Sequence, residues 1–176
     1  MMETEDIKPW LFEIEPLEGE SLSHFLGRFR RANDLTPSGL GQAAELGGAI
    51  AYGGALPIAR WEKFRFNPPP SRQQLESLAK VVGVDADRLE QMLPPTGVRM
   101  NLEPIRLCAA CYVESPCHKI EWQFKETQGC QHHSLSLLSE CPNCGARFKV
   151  PALWVDGWCH RCFTLFAEMA NRQKTY

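Results

Sequence analysis

The chain has 176 residues, 44% hydrophobic and 23% charged, with 19 Lys and Arg against 21 Asp and Glu for a formal charge of −2. That length suits one compact domain or two small ones. Residues 1–100 carry 11 basic and 14 acidic side chains and residues 101–176 carry 8 and 7, so neither half has the cationic excess of a free-standing nucleic-acid binder.

The start, Met1-Met2-Glu3-Thr4-Glu5-Asp6, is acidic where a secretory signal is basic. The longest apolar run, around Gly47 to Ala59, is broken by glycines and proline and is too short for a bilayer. No membrane segment is expected, and a cytoplasmic setting follows. Thiols there stay reduced, and paired cysteines hold metal more often than they form disulfides.

Residues 3–20 are acidic yet include Trp10, Leu11, Phe12, Ile14 and Leu17. Such an arm either docks in a partner's groove through Trp10 and Phe12 or packs on its own core. Ser21 then caps a helix with Leu22, Phe25, Leu26 and Phe29 on one face and Arg28, Arg30 and Arg31 on the other. Thr36-Pro37 reads as the N-cap and first position of a second helix through Leu46. Gly47–Gly54 is a loop without the Gly-Lys-Ser/Thr of a phosphate site. In Arg60-Trp61-Glu62-Lys63-Phe64-Arg65-Phe66, cations alternate with aromatics. Arg60, Lys63 and Arg65 could meet phosphates, while the alternative puts Trp61 and Phe64 in the core.

Ser71-Arg72-Gln73-Gln74 is a capping box opening a helix over Leu75, Leu78, Ala79 and Val82. Gly83 ends it, Asp85 caps the next, and Pro94-Pro95 stops the chain of helices. The small Ala79 and the corner glycine fit a helix-turn-helix. Its second helix holds Asp85, Asp87 and Glu90 against Arg88, a charge that phosphates repel, so the pair reads as a protein-docking scaffold.

All eight cysteines lie between Cys108 and Cys162. They supply four pairs with two-residue gaps: Cys108/Cys111, Cys130/His133, Cys141/Cys144 and Cys159/Cys162. This spacing lets a knuckle turn aim two ligands at one tetrahedral zinc. The simplest pairing is sequential and gives one site of three cysteines and a histidine and one of four cysteines, hence two structural Zn2+. An interleaved pairing, His132 in place of His133, and iron at the Cys141-Pro-Asn-Cys144 knuckle are the alternatives. Cys117 and His118 are left over, read as a packed thiol and a surface imidazole, with a replacement ligand or a catalytic thiol as the alternatives. Closed four-ligand sites have no place for a reacting water, and no catalytic set or small-molecule substrate site is evident. Seven thiolates and two dications would take the formal charge to about −5.

Together, Pro16-Leu17-Glu18-Gly19-Glu20-Ser21-Leu22-Ser23 before an Arg-rich helix, Cys108-Ala-Ala-Cys111, Trp122-Gln123, Cys130-Gln-His-His133 and Cys141-Pro-Asn-Cys144-Gly145 resemble the TniQ family of transposition proteins, over nearly the whole chain. The short length is similar to the TniQ of type V CRISPR-associated transposons. The resemblance implies a non-enzymatic adaptor between an RNA-guided effector, with its guide RNA, and the AAA+ ATPase TnsC on DNA, which recruits the transposase. On that reading Trp10, Phe12 and the first helix would meet the ATPase, Arg60, Lys63 and Arg65 or the knuckles would meet RNA, and Arg28 and Arg31 are further partner-binding candidates. The alternative is a sequence-specific DNA-binding target selector or regulator. The expected fold is small α+β and mainly helical: an arm and helix-turn-helix domain over 1–100, a first zinc finger over 101–138, and a second with the C-terminal tail over 139–176.

Overall fold

The computed structural model describes residues 12–46 and 56–176. Trp10 and the expected Gly47–Gly54 loop lie outside the described residues. The fold is small and mixed α+β, with more helix than strand. Among the described residues no helix is long and apolar enough to cross a membrane.

Helix α1, Leu22–Ala32, begins where expected: Ser21 is the N-cap and its hydroxyl accepts the His24 N–H. Helix α2, Pro37–Ala43, starts under a Thr36 cap, and α3, Pro57–Trp61, starts on its proline. Helix α4, Arg72–Val82, has the full Ser71/Gln74 capping box and ends at Gly83 in the left-handed region, φ 71°. Helix α5, Ala86–Glu90, is only five residues long. Asp85 stands at its N-cap position, but the Asp85 side chain makes no capping bond; only its carbonyl joins the helix, accepting from the Leu89 N–H. Leu22, Phe25, Leu26, Phe29, Leu40, Ile58, Trp61, Leu75, Leu78 and Leu89 from these five helices form one buried cluster.

A second cluster spans both cysteine-rich segments. Helix α6, Ala109–Glu114, packs on α7, Phe166–Met169, through Tyr112 and Phe166, whose rings meet edge-on at 5.3 Å. Strands are minimal: β1, Gly129–Cys130, pairs antiparallel with β2, Leu135–Ser136. The C-terminal tail returns to this hairpin, with a bridge from Leu135 to Thr175 and the Ser136 N–H donating to the Lys174 carbonyl. Tyr176 lies so close over Gly129 that a Cβ there would stand 2.3 Å from its ring. The two cysteine-rich segments therefore share a core and a tail.

The front and back halves interlock along α1. The segment before it pairs with residues 118–120, Ser21 N–H donating to the His118 carbonyl and Ile120 N–H to that of Gly19. On another side, α1 meets the 3-10 turn Pro151–Leu153 at backbone distance, because residue 27 is glycine; a Cβ would stand 2.3 Å from the Ala152 carbonyl oxygen. Ser23 Oγ accepts the Ala152 N–H and donates to the Glu62 carbonyl, joining three elements.

These contacts correct the expectation of a free arginine face on α1. Arg28 binds the buried Glu20 carboxylate and the Glu15 carbonyl. Arg30 forms a two-point pair with buried Glu62. Arg31 donates to the carbonyls of Ala152 and Trp154. Burial opposes ionisation of Glu20, but hydrogen bonds from His24 and Arg28 outweigh it and hold the carboxyl below its usual range. All three guanidiniums thus hold the chain together instead of forming an open cationic stripe.

His118 is likewise no surface imidazole. It is fully buried, edge-on to Trp122 and Trp154 and beside Phe64, with Nδ1 3.0 Å from Ser21 Oγ. The neighbouring Cys117 is the packed thiol expected.

Gly27→Ala should destabilise the protein by about 1–3 kcal/mol in denaturant unfolding, since the added methyl must displace backbone. Burial holds the His118 pKa well below 6.5, so an unfolded chain gains a proton there that the folded one refuses. Stability should decline as pH falls through 6.5, and the His118→Gln variant should lose this part of the slope in a pH series of unfolding curves.

Candidate metal centre

Each half of the first centre comes from a different local structure. Cys108 is the N-cap of α6 and Cys111 lies in its first turn; Cys130 ends β1, and His133 follows in the turn leading to β2. The second centre takes Cys141 and Cys144 from a turn closed by the Gly145 N–H to Cys141 carbonyl bond and the Cys141 N–H to Ala146 carbonyl bond. Gly145 stands there at φ 71°, which its missing side chain allows. Cys159 and Cys162 form the matching turn, with paired bonds from Cys159 N–H to Thr164 and from Phe163 N–H to Cys159.

The donor atoms converge in the sequential pairing. Cys108, Cys111, Cys130 and His133 form one cluster and Cys141, Cys144, Cys159 and Cys162 the other, each with ligand atoms within 4.8 Å of one another. In the first, Cys111 Sγ lies 3.4 Å from Cys130 Sγ, and His133 Nδ1 lies 3.3 Å from Cys111 Sγ, 3.6 Å from Cys130 Sγ and 3.9 Å from Cys108 Sγ. In the second, Cys141 faces Cys162 and Cys144 faces Cys159, both at 3.6 Å. Sulfurs 2.3 Å from a tetrahedral ion stand roughly 3.8 Å apart, so both clusters need little contraction or expansion to hold one. His133, the histidine that keeps the two-residue gap, supplies the inward nitrogen.

Backbone and side chains favour the thiolate at one sulfur of each cluster. The Cys111 thiol and the Cys111 N–H both bond to Cys108, holding its thiol down at about 5 against the cost of burial. Cys111 is pushed up in turn by the Cys108 it serves and by burial. In the second cluster the Thr164 hydroxyl and N–H draw Cys162 down to about 5, 3.2 Å separating the side-chain atoms. At Cys144 the Ala146 N–H favours the thiolate, but burial and the neighbouring sulfurs outweigh it and push the thiol up to about 12. One thiol per cluster ionises readily and its negative charge holds others protonated. A divalent cation at the centre would reverse that penalty and displace the remaining protons.

Around the ligands stand residues that sequence reading did not nominate. Glu114 Oε1 lies 2.9 Å from His133 Nε2, the outer nitrogen of the ring whose inner nitrogen faces the sulfurs. A carboxylate in this place fixes ring orientation and tautomer at metal sites. Gln173 Oε1, on the returning tail, accepts the Ala110 N–H and lies 3.8 Å from Cys108 Sγ. Neither has a signal in sequence spacing, Gln173 being 65 residues from the ligand it approaches.

The expected partner residues are dispersed. Phe12 is 57% exposed, and its backbone bonds both ways with the Asn33 amide. Arg28 and Arg31 are engaged internally as described. Trp61 and Phe64 are core, whereas Lys63 and Arg65 are exposed and Arg60 is partly exposed, donating to the Asn67 carbonyl. Beside the second cluster a different set stands open: Leu153, Val155, Trp158 and Phe163 line a concavity of about 260 Å3, with Trp158 41% and Phe163 66% exposed.

No protein-family model matches the chain, and no curated protein matches it.

Metal analysis of the purified protein should find two tightly held ions per chain. His133→Ala should lose one of them while His132→Ala retains both. Acidification should release both ions as protons compete for the thiolates, and strong chelation should unfold residues 101–176, read by loss of near-UV signal from Trp122 and Trp154.

Proposed function

We propose that the chain is a non-enzymatic adaptor of RNA-guided transposition, of the TniQ kind, which joins a target-selecting CRISPR effector and its guide RNA to the AAA+ ATPase TnsC on DNA. In this reading the two clusters hold structural Zn2+, and α4 and α5 act as a helix-turn-helix used for protein docking. The observation that carries it is the electrostatic state of the elements that would otherwise read DNA. Arg72 at the start of α4 is tied to Glu76, Asp87 and Glu90, and Arg88 on α5 donates to Gln91 and the Leu17 carbonyl. The α1 arginines are bound to Glu20, Glu62 and backbone carbonyls. Duplex recognition needs cations free to meet phosphates, and the arginines of α1, α4 and α5 are already engaged.

What the chain offers instead is surface suited to protein contacts. The exposed Leu153, Val155, Trp158 and Phe163 form an apolar patch of the composition that anchors interfaces. Exposed Lys63 and Arg65 beside Arg60 are a small cationic group fitted to supplementary contacts with an RNA backbone. Two closed four-ligand centres shape these surfaces without leaving a coordination position for a substrate.

Co-sedimentation with TnsC assembled on DNA tests the proposal. The protein should pellet with the ATPase assembly, more so when the effector and guide RNA are present, and should bind naked duplex weakly at physiological salt. Tight, sequence-selective binding to duplex DNA by the protein alone, with no association with the ATPase, would instead establish the target-selector reading.

A further inference from the structure

The outer side of the first metal centre carries a second convergence of ligand atoms. Glu114 projects from the end of α6, and His132 and His133 are consecutive in the knuckle opposite. Glu114 Oε1 is 2.9 Å from His133 Nε2, and Glu114 Oε2 is 3.3 Å from His132 Nε2. The two rings are nearly perpendicular, 4.5 Å between centroids, so their outer nitrogens approach the carboxylate from different directions. All three donor groups lie within 4.8 Å of one another. Nitrogen and oxygen ligands about 2.0–2.2 Å from a tetrahedral zinc stand roughly 3.3–3.6 Å apart, close to this spacing.

The surroundings favour a cation that solvent can reach. Glu114 and His132 are exposed, His132 to 69%. They border a cavity of about 450 Å3 whose wall also includes Glu18 and Glu121, while Lys119, the cation in that wall, is bound to the Glu18 carbonyl. With a divalent ion the cluster of three thiolates and one imidazole carries a net charge of −1, which adds to the attraction. Glu114 thus meets one imidazole at each of its carboxylate oxygens.

We propose that Glu114, His132 and the outer nitrogen of His133 form a third, solvent-open site for a divalent transition-metal ion, joined to the first centre through the His133 ring. The inference rests on the reading of the first centre as three cysteines and a histidine around one ion. Glu114, His132 and the outer nitrogen of His133 would hold the ion, and on binding the proton that His133 Nε2 presents to Glu114 would pass to solvent. The ion fastens the end of α6 to the Cys130–His133 knuckle from outside the thiolate cluster, and it exchanges while the two inner ions stay.

The experiment uses the full chain carrying its two tightly held ions, titrated calorimetrically with Zn2+ alone and followed spectroscopically with Co2+ alone. A third equivalent should bind more weakly than the first two. With Co2+ it should add absorption of nitrogen and oxygen ligation without further thiolate charge-transfer intensity. His132→Ala should abolish the third equivalent while keeping two ions and the same unfolding midpoint. Two ions in the native chain with no third, or a third that survives His132→Ala unchanged, would overturn the proposal. Fewer than two tightly held ions in the native chain would overturn the reading of the inner centres instead.

Discussion

Four soft donor atoms brought to between 3.3 and 3.9 Å, as around His133 Nδ1, are an unfavourable arrangement without a cation. Each thiol that ionises raises the cost of ionising the next, and burial raises it further, as the opposed shifts of Cys108 and Cys111 express. A divalent ion held at each cluster would convert that repulsion into a source of order in residues 101–176. The regular secondary structure there is slight, with two-residue strands and short helices, and cannot supply the same order by backbone hydrogen bonding alone. With ions bound, the shared core of α6, α7, Trp154 and Phe148 would have fixed points to form around.

From that anchored half the order extends forward. The turn at Pro151–Leu153, carried by the second cysteine-rich segment, seats against Gly27 and accepts Arg31, while residues 118–120 pair with the chain just before α1. Helix α1 therefore faces one apolar cluster through Phe25 and Phe29 and the other half through Gly27 and Arg31. Arg31 is engaged by the back half, and Arg28 and Arg30 by Glu20 and Glu62 of the front half, so the arginines that a nucleic-acid surface would need are already bound. This is why the proposed role places any RNA contact on local groups such as Lys63 and Arg65 and places recognition of the polymer with partners already bound to it.

Local signals in the sequence carried much of this fold. The caps Ser21, Thr36 and Ser71, the corner Gly83, and the four ligand pairs are decided by neighbours within a few residues, and there the chemistry of each side chain permits one economical use. What sequence could not disclose depends on long-range placement. Arg28, Arg30 and Arg31 look alike along a helix, and only the positions of Glu20, Glu62 and Ala152 reveal that each is bound internally. His118 becomes a buried ring because Trp122, Trp154 and Phe64 close around it from three parts of the chain. Glu114 has an ordinary place at a helix end until the knuckle opposite presents two imidazoles to it.

The central claim is that two closed centres, one with three sulfurs and a nitrogen and one with four sulfurs, organise the back half of the chain. X-ray absorption at the zinc edge on the protein carrying two tightly held ions addresses it most directly, because scattering counts ligands by element and distance. Averaged over both ions, the expected spectrum has a dominant shell of sulfur at about 2.3 Å with a small nitrogen contribution at about 2.0–2.1 Å and no water oxygen. A spectrum dominated by nitrogen and oxygen, or a sulfur shell too small for seven thiolates over two ions, would contradict it.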